Sequence, residues 1–504
     1  MTQGGRSALL SRVLELLAEA AAVYQGTAAA PVVDELIGRL HEPLRVAIAG
    51  RVKAGKSTLL NALVGEELAP TDAGECTRIV TWYRHGLTYR VTLVPRQGRA
   101  HQVPFARDDG AVDVELGEYT PDEVASLSIE WPSMALEPMT LIDTPGIGSI
   151  TTDVSARSLA FLTPDEDEQP TPSDAVIYLL RHVHAADVQF LEAFADEHVT
   201  PFPVNAVAVL SRADEMGVGR LDALASAAQI ADRYRGDPRL RALVQDVVPV
   251  AGLLAQAGYT LRETEFRQLR NLSQLPPEVL EALELSADRF VSTSAADLGL
   301  AGTPAEGLLP PSHERRNLLE RLGLFGVRVS VEALSSGRVA TSSQLAAELR
   351  AQSGIDRLRK LLFSHFAERR DTLKARSALV AVERLLALHP LPAGRPLTAR
   401  LEQLRASAHE LAELRLVNYL RGGALSLSDG ERTEAEQLLA SGTSVYQRLG
   451  IPDDASADEV RKALVATLNR WRTRGENPMS SLADREASAI LVRTCEGLFA
   501  SLVG

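Results

Sequence analysis

One stretch restricts what this chain can fold into more than any other. Residues 44–61 read Leu44-Arg45-Val46-Ala47-Ile48-Ala49-Gly50-Arg51-Val52-Lys53-Ala54-Gly55-Lys56-Ser57-Thr58-Leu59-Leu60-Asn61. The short apolar run 44–49 predicts a buried parallel strand. Gly50 and Gly55 then bracket four residues, and Lys56-Ser57-Thr58 opens a helical pattern. This is G-x-x-x-x-G-K-[ST] in its strand–loop–helix setting. A wrapped loop ending on a helix N-terminus turns its N–H groups inward and makes a nest for phosphate oxygens. Lys56 is placed to reach the terminal phosphates, and the Ser57 hydroxyl to ligate Mg²⁺. The alternative, a Gly-rich turn with no ligand, would not require Lys and Ser at these positions.

Length and charge narrow the rest. A chain of 504 residues exceeds one core and predicts two or three domains. With 53 Lys and Arg against 66 Asp and Glu, the net charge of −13 argues against nucleic acid as a partner. Cys76 and Cys495 suggest reduced, unpaired thiols in a cytoplasmic protein. No window holds the ~18 uncharged apolar residues of a spanning helix, so the expected membrane role is peripheral, at the inner face of the cell membrane.

Residues 7–24 and 31–40 predict two amphipathic helices that belong to no nucleotide fold. From 44 to 250, strands at 44–49, 79–84, 90–94, 127–131, 139–142, 175–180, 204–210 and 247–250 alternate with helices, as in a doubly wound parallel sheet. The runs 79–84 and 90–94 read as a strand pair. Thr120-Pro121-Asp122-Glu123 reads as a capping box with Pro at the first helical position. Residues 163–173 are acidic and Pro-rich and read as a surface loop. Beyond Gly252 the pattern is almost wholly helical. One helix starts at Gly354 and meets no strong breaker before Pro390, which predicts a stalk of ~50 Å at 1.5 Å per residue. Further helices are expected at 396–420, 429–449, 457–474 and 482–502. Ser428 with Glu431 and Ser456 with Glu459 form capping boxes.

Four further stretches choose among nucleotide chemistries. Asp143, in Leu141-Ile142-Asp143-Thr144-Pro145-Gly146, follows a strand and is suited to hold Mg²⁺ through water, while the Gly146 N–H is placed to sense a γ-phosphate. Thr77 is placed to ligate Mg²⁺ and, through its carbonyl, to orient the attacking water; Thr71 and Thr81 compete for that role. In Ser211-Arg212-Ala213-Asp214 the Asp214 carboxylate can accept both N–H groups of guanine, a pair adenine does not supply. The Arg212 stem can lie over the base. Ala251 and Gly252 end the next strand and offer an N–H to the guanine O6.

In this order, with Thr77-Arg78-Ile79-Val80-Thr81-Trp82 and Ser211-Arg212-Ala213-Asp214-Glu215 among the flanking words, the chain resembles the dynamin superfamily. Within it, it is most similar to the isoniazid-inducible dynamin-like GTPases of mycobacteria, the shorter, C-type form above all. The resemblance extends through Phe366-Ala367-Glu368-Arg369-Arg370-Asp371 and fades after about Leu420. It implies an α/β P-loop GTPase head on an all-α helical neck and stalk bundle. The implied divisions are 1–43 as helices packing into the neck, 44–366 as the GTPase domain with a helical insertion at about 253–353, and 367–504 as neck and stalk. It implies GTP and GDP with Mg²⁺ as ligands, and GTP hydrolysis coupled to head–stalk motion in membrane remodelling or maintenance. It also implies head-to-head homodimers, or assembly with a longer dynamin-like relative. A rival from another class is a GTP-gated scaffold for such a partner with little membrane activity of its own.

Departures from the superfamily pattern matter. Eukaryotic dynamins carry Gln-Ser where this chain has Val52-Lys53. Val52 cannot hydrogen-bond a water, whereas Lys53 either places positive charge near the transition state or only neutralises phosphates. Among lesser signals, His182 and His184 form a His-x-His that reads as a surface turn rather than a metal pair. Arg470-Trp471-Arg472-Thr473-Arg474 could touch anionic lipid but reads first as a solvated helix end, and the loop 389–396 lies where a stalk-tip lipid anchor would sit but is poor in large apolar residues.

Overall fold

The computed structural model describes residues 7–70, 79–108, 111–145, 173–194, 205–363, 366, 369–421, 425–440 and 444–503. Two helices come first, α1 (Ala8–Tyr24) and α2 (Ala30–His41). The Ser7 hydroxyl caps α1 by accepting from the Leu10 N–H at 3.2 Å. A nine-stranded sheet follows, built from β1 (Leu44–Gly50), β2 (Val80–His85), β3 (Arg90–Pro95), β4 (His101–Gln102), β7 (Val124–Trp131), β8 (Met139–Asp143), β9 (Ala175–Leu180), β10 (Ala206–Ser211) and β11 (Val247–Val250). β5 (Phe105–Asp108) and β6 (Ala111–Val114) form a separate hairpin. The order across the sheet is β11-β10-β9-β1-β8-β2-β7-β3-β4. The five strands from β11 to β8 are parallel, and β2 turns the direction.

Alternation along the central strands builds two cores. Val46 and Ile48 face α3 (Lys56–Val64) and its neighbours. Ala47 and Ala49 face the side covered by α4 (Ala185–Phe194), α5 (Ala223–Gly236) and α6 (Pro238–Leu243). Helices on both faces of a mostly parallel sheet are the doubly wound arrangement read from the sequence.

Local readings at the antiparallel side need correction. β2 and β3 are not partners, because β7 lies between them and pairs with both; Ser128 stands opposite Trp82 on one side and Thr92 on the other. A short turn favours a hairpin, but β7 buries Leu127, Ile129 and Trp131 at alternate positions and so fits a slot with a ladder on each side. The Thr120–Glu123 box does form: the Thr120 N–H and hydroxyl donate to the Glu123 carboxylate at 2.9 and 2.8 Å. It closes a turn rather than starting a helix, because the residues after it alternate with a period of two.

After β11 the chain runs through α7 (Gly252–Thr260), α8 (Glu263–Leu272), α9 (Pro277–Leu283), α10 (Ala287–Ser292), α11 (Ser312–Ser335) and α12 (Ser342–Ser353). These six share one core around Phe266, Leu269, Phe290, Leu318, Leu322 and Phe325. α13 (Ile355–Leu362) then returns to the sheet. Its Arg359 donates to the Ala62 and Leu63 carbonyls at the end of α3, at 3.0 and 2.7 Å.

The single long helix expected from Gly354 is two helices. α13 ends at Leu362, and α14 (Arg370–Leu388) starts after a break at Arg369, where φ is −98° and ψ 11°. The two halves serve different cores. Leu358, Leu362 and Phe366 bury against the sheet, whereas Leu379, Val382 and Leu385 bury against α1, α2 and α15 (Arg395–Ser407). A straight helix has no turn available to aim one stripe at both. The helix expected at 396–420 is likewise divided at Ala408 into α15 and α16 (His409–Arg421).

α16, α17 (Asp429–Ala440), α18 (Val445–Leu449), α19 (Ala457–Glu476) and α20 (Leu482–Val503) form a further bundle around Leu416, Leu438, Leu464, Trp471 and Leu491. Both expected capping boxes are present, the Glu431 and Glu459 carboxylates accepting from the Ser428 and Ser456 N–H groups at 2.9 and 2.8 Å. This bundle turns back toward the sheet side: Glu436 of α17 pairs with Arg241 of α6, and Arg369 donates to the Leu439 carbonyl. Among the described residues no helix is long and apolar enough to cross a membrane.

Candidate functional site

The parallel strands β1, β8, β9, β10 and β11 end on one rim of the sheet, where an open α/β fold gathers its ligand site. β1 closes on Gly50, whose φ is +149°. A Cβ there would lie 2.9 Å from the Leu179 carbonyl oxygen of β9, so only glycine lets the loop leave the strand this close to its neighbour. The loop turns tightly, with the Ala54 N–H on the Arg51 carbonyl at 3.1 Å, and Lys53 takes a left-handed φ of 61°. Val52 is solvent-exposed. Gly55 precedes α3, which leaves the N–H groups of its first turn without helical partners.

Lys56 lies inside this loop. Its ammonium is 3.4 Å from both the Gly50 and Arg51 carbonyl oxygens. Burial lowers its pKa, and the Asp143 carboxylate works against that. Ser57 donates its hydroxyl to Asp143 Oδ2 at 3.0 Å. The other oxygen, Asp143 Oδ1, is buried with no protein partner. Burial pushes the Asp143 carboxyl up, while Lys56 and the Ser57 hydroxyl pull it down. A hydroxyl and an orphaned carboxylate oxygen side by side make a hard-oxygen donor set of the kind Mg²⁺ takes. Thr144 fixes the strand end by donating its hydroxyl to the Ile48 carbonyl at 2.9 Å.

Thr77, Thr71 and Gly146 lie outside the described residues. Thr81 is described. It is buried in β2, stands in register with Asp143, and donates its hydroxyl to the Ile79 carbonyl at 3.2 Å. That bond turns its hydroxyl back onto its own strand.

Across the rim, β10 ends in Ser211 and runs into a 3-10 turn over Ala213–Val218. Asp214 sits in that turn, 8% exposed, and burial pushes its carboxyl up to about 6. Arg212 adopts a left-handed φ of 53°. Its guanidinium donates to the Lys53 carbonyl at 3.0 Å and to Glu215 at 2.6 Å, tying this turn to the phosphate loop. Arg181 from the end of β9 pairs with the same Glu215 at 2.5 Å. The Ser211 hydroxyl donates to the Leu180 carbonyl at 3.0 Å and so braces β10 on β9. Ala251 and Gly252 follow β11, and a Cβ at Gly252 would meet Thr58 Cγ2 at 3.3 Å. The cleft so formed is walled by Gly55, Thr58, Leu179, Asp214 and Leu253.

The structure therefore gathers Ala54, Gly55, Thr58, Ser211, Arg212, Asp214 and Gly252 around one cleft, whereas Ser57 and Asp143 line a separate small pocket with Thr81. The sequence reading did not include Leu179, Leu253 or Arg181. Leu179 and Leu253 look like ordinary core leucines in sequence, and only the register of β9 and the start of α7 beside β1 and α3 bring them to the cleft. Trp471, the aromatic of the basic stretch at 470–474, is 2% exposed in the core of the last bundle. Its neighbours Arg470, Arg472 and Arg474 pair with Glu434, Glu496 and Glu431.

A Gly-rich loop ending in Lys56-Ser57, a strand-end Asp143 and a buried Asp214 just past β10, on one parallel rim, define a P-loop nucleotide-binding protein. The chain belongs to the dynamin family, whose members are GTPases; the model of that family matches residues 46–199. Among its relatives is the isoniazid-induced protein IniC of Mycobacterium tuberculosis, 40% identical over 474 residues that cover 93% of this chain and 92% of that protein. A bacterial dynamin-like protein of Nostoc punctiforme is 31% identical over 126 residues, which cover 23% of this chain and 18% of that protein. A solved oligomerised bacterial dynamin pair, described as sensing and tethering membranes, overlays 98% of this chain and 79% of its own. The TM-score is 0.30 and the identity 14%, and an overlay that loose adds nothing to the assignment.

Proposed function

We propose that this chain binds GTP with Mg²⁺ and hydrolyses it to GDP and phosphate by in-line attack of water on the γ-phosphate. The observation that carries this is the meeting of Lys56, Ser57 and the unpartnered Asp143 Oδ1 at the start of α3, whose Thr58 also lines the cleft that holds Asp214. The N–H groups of residues 53–58 would cradle the phosphates. Lys56 would exchange its two loop carbonyls for phosphate oxygens, which are better acceptors for a buried ammonium. Ser57 and Thr77 would hold Mg²⁺ directly, and Asp143 through water. Bound there, the metal would neutralise charge on the β- and γ-phosphates. Gly146 would sense the γ-phosphate, and Thr77 would orient the water. Lys53 stands in the loop facing solvent and would add positive charge where it develops. Asp214 would accept both guanine N–H groups, and the Arg212 stem would cover the base while its guanidinium keeps the turn on the phosphate loop.

The reading extends to output. Residues 44–366 would act as the head with its insertion at about 253–353, residues 1–43 as part of the neck, and 367–504 as neck and stalk. Packing of α1 and α2 on α14 and α15 supports that division. Hydrolysis would shift the head against the helical part in membrane remodelling or maintenance, with homodimers or a longer dynamin-like relative as partner.

A scaffold that GTP gates, with little membrane activity of its own, is favoured by two observations. Trp471 is buried, and in the loop 389–396 Leu391 packs on the neck core while the Tyr24 hydroxyl holds the His389 carbonyl at 2.7 Å. Trp471 and Leu391 are thus held against the chain's own cores, while Arg470, Arg472 and most of the loop 389–396 stay exposed. Calorimetry with GTP, ATP and the Lys56→Ala variant tests the chemistry; GTP uptake unaffected by that substitution, or equal uptake of ATP, would overturn it. Flotation with anionic vesicles, with and without GTP, alone and with a paired dynamin-like protein, separates membrane activity from scaffolding.

A further inference from the structure

The base-facing side of the cleft is backed by an element of the helical insertion. α11 is not one straight helix. At Gly323 the backbone takes φ 68° and ψ 167°, a conformation essentially restricted to glycine. This break lies against the turn that carries Asp214. A Cβ at Gly323 would be 3.6 Å from Asp214 Oδ2 and 3.7 Å from Leu253 Cδ1, two atoms of the cleft wall. The same close approach recurs one step on: a Cβ at Gly219 would be 3.5 Å from the Asp214 carbonyl and 3.7 Å from Phe325 Cβ of α11.

The break is clamped on both sides. Before it, Arg321 pairs with Glu67 just past α3, with Glu265 at 2.8 Å, and donates to the Thr260 carbonyl at 2.8 Å. After it, Arg328 spans two carbonyls, Gly219 at the end of the Asp214 turn and Glu284 at the end of α9. Between them Leu322 and Phe325 are buried in the insertion core. A continuous helix through Gly323 would carry its next turn along a different line, away from the Asp214 turn.

We propose that the break at Gly323 is the rear wall of the base site and seats Asp214, so that the insertion sets how firmly the guanine edge is held. Gly323 and Arg328 are positioning residues, since they touch the Asp214 turn and not the ligand. The inference rests on the reading of the cleft as a guanine site. It goes further in giving the insertion a part in base recognition, with the phosphate end left independent of it.

The test uses the full chain and two probes: a fluorescent GTP analogue, and inorganic tripolyphosphate with Mg²⁺, which reports the phosphate loop without a base. Gly323→Ala forces a side chain into a glycine-only conformation, and the expected result is about tenfold weaker GTP binding with tripolyphosphate binding unchanged. Arg328→Gln frees the far end of the Asp214 turn and is expected to act in the same direction, which keeps the test open should Gly323→Ala not fold. The split between the two probes is what a general disturbance would not produce. Unchanged GTP affinity in either folded variant overturns the inference, as does equal loss of both probes. Wild-type protein that takes up tripolyphosphate but not GTP would instead sink the guanine reading itself.

Discussion

Asp214 gives a prediction whose size follows from its surroundings. The turn at the end of β10 buries its carboxyl and pushes it up to about 6. A carboxylate accepts two N–H donors from guanine, whereas the protonated acid loses one acceptor position and presents an O–H. Affinity should therefore follow the ionised fraction. With a midpoint near 6 that fraction is about ten-elevenths near pH 7 and one-eleventh near pH 5, so GTP binding should weaken about tenfold, or ~1.4 kcal/mol. The sign is fixed: a raised carboxyl pKa weakens binding as pH falls through about 6, whereas an unperturbed Asp would stay ionised over the whole interval. The γ-phosphate also titrates here, so the Asp214→Asn variant measured with the same nucleotide supplies the phosphate slope alone. The ratio of wild-type to variant affinity, taken at several pH values by fluorescence titration, isolates the side chain. Parallel slopes in the two proteins would refute the reasoning, because they would leave Asp214 no part in the proton dependence.

Further outcomes are expected at the same site and where α14 packs on α2. Asp214→Asn should exchange guanine for xanthine preference, read by competition between GTP and XTP; retained GTP selectivity would reject the pairing. Lys53→Ala should slow turnover with GTP affinity kept, since its backbone carbonyl still meets Arg212; unchanged turnover limits Lys53 to loop structure. Lys374→Met should cost about 1–3 kcal/mol in thermal or urea unfolding, because the buried ammonium of α14 is the partner of the Arg39 and Glu42 carbonyls at the end of α2. Unchanged stability would show that those carbonyls find other donors.

Several parts of this protein were legible because local chemistry decides them. The phosphate loop needs glycines, a Lys and a Ser at set spacing beside a strand, so Gly50 to Ser57 announces itself. Short continuous apolar runs marked β1 and β9, and the Ser428 and Ser456 capping boxes marked α17 and α19. Other parts depended on which surfaces meet. Nothing local tells that β7 slips between β2 and β3, since the slot exists only once both ladders are available. The break between α13 and α14 has no proline; it arises because Phe366 belongs to the sheet core and Leu379 to the core shared with α1, α2 and α15. Gly323 reads as an ordinary helix glycine until its φ and its nearness to Asp214 are seen.

The amino-acid sequence by itself determined that a strand, a Gly-rich loop ending in Lys-Ser and a strand-end Ser-Arg-Ala-Asp occur in this order, because short-range sterics and donor patterns set those elements within a dozen residues each. Only the tertiary structure decided that Ala54 and Asp214 share one cleft, that α11 stands behind Asp214, and that the last bundle turns back toward α6. Burial drives those choices, and apolar faces have no preferred partner until the whole chain has competed for them.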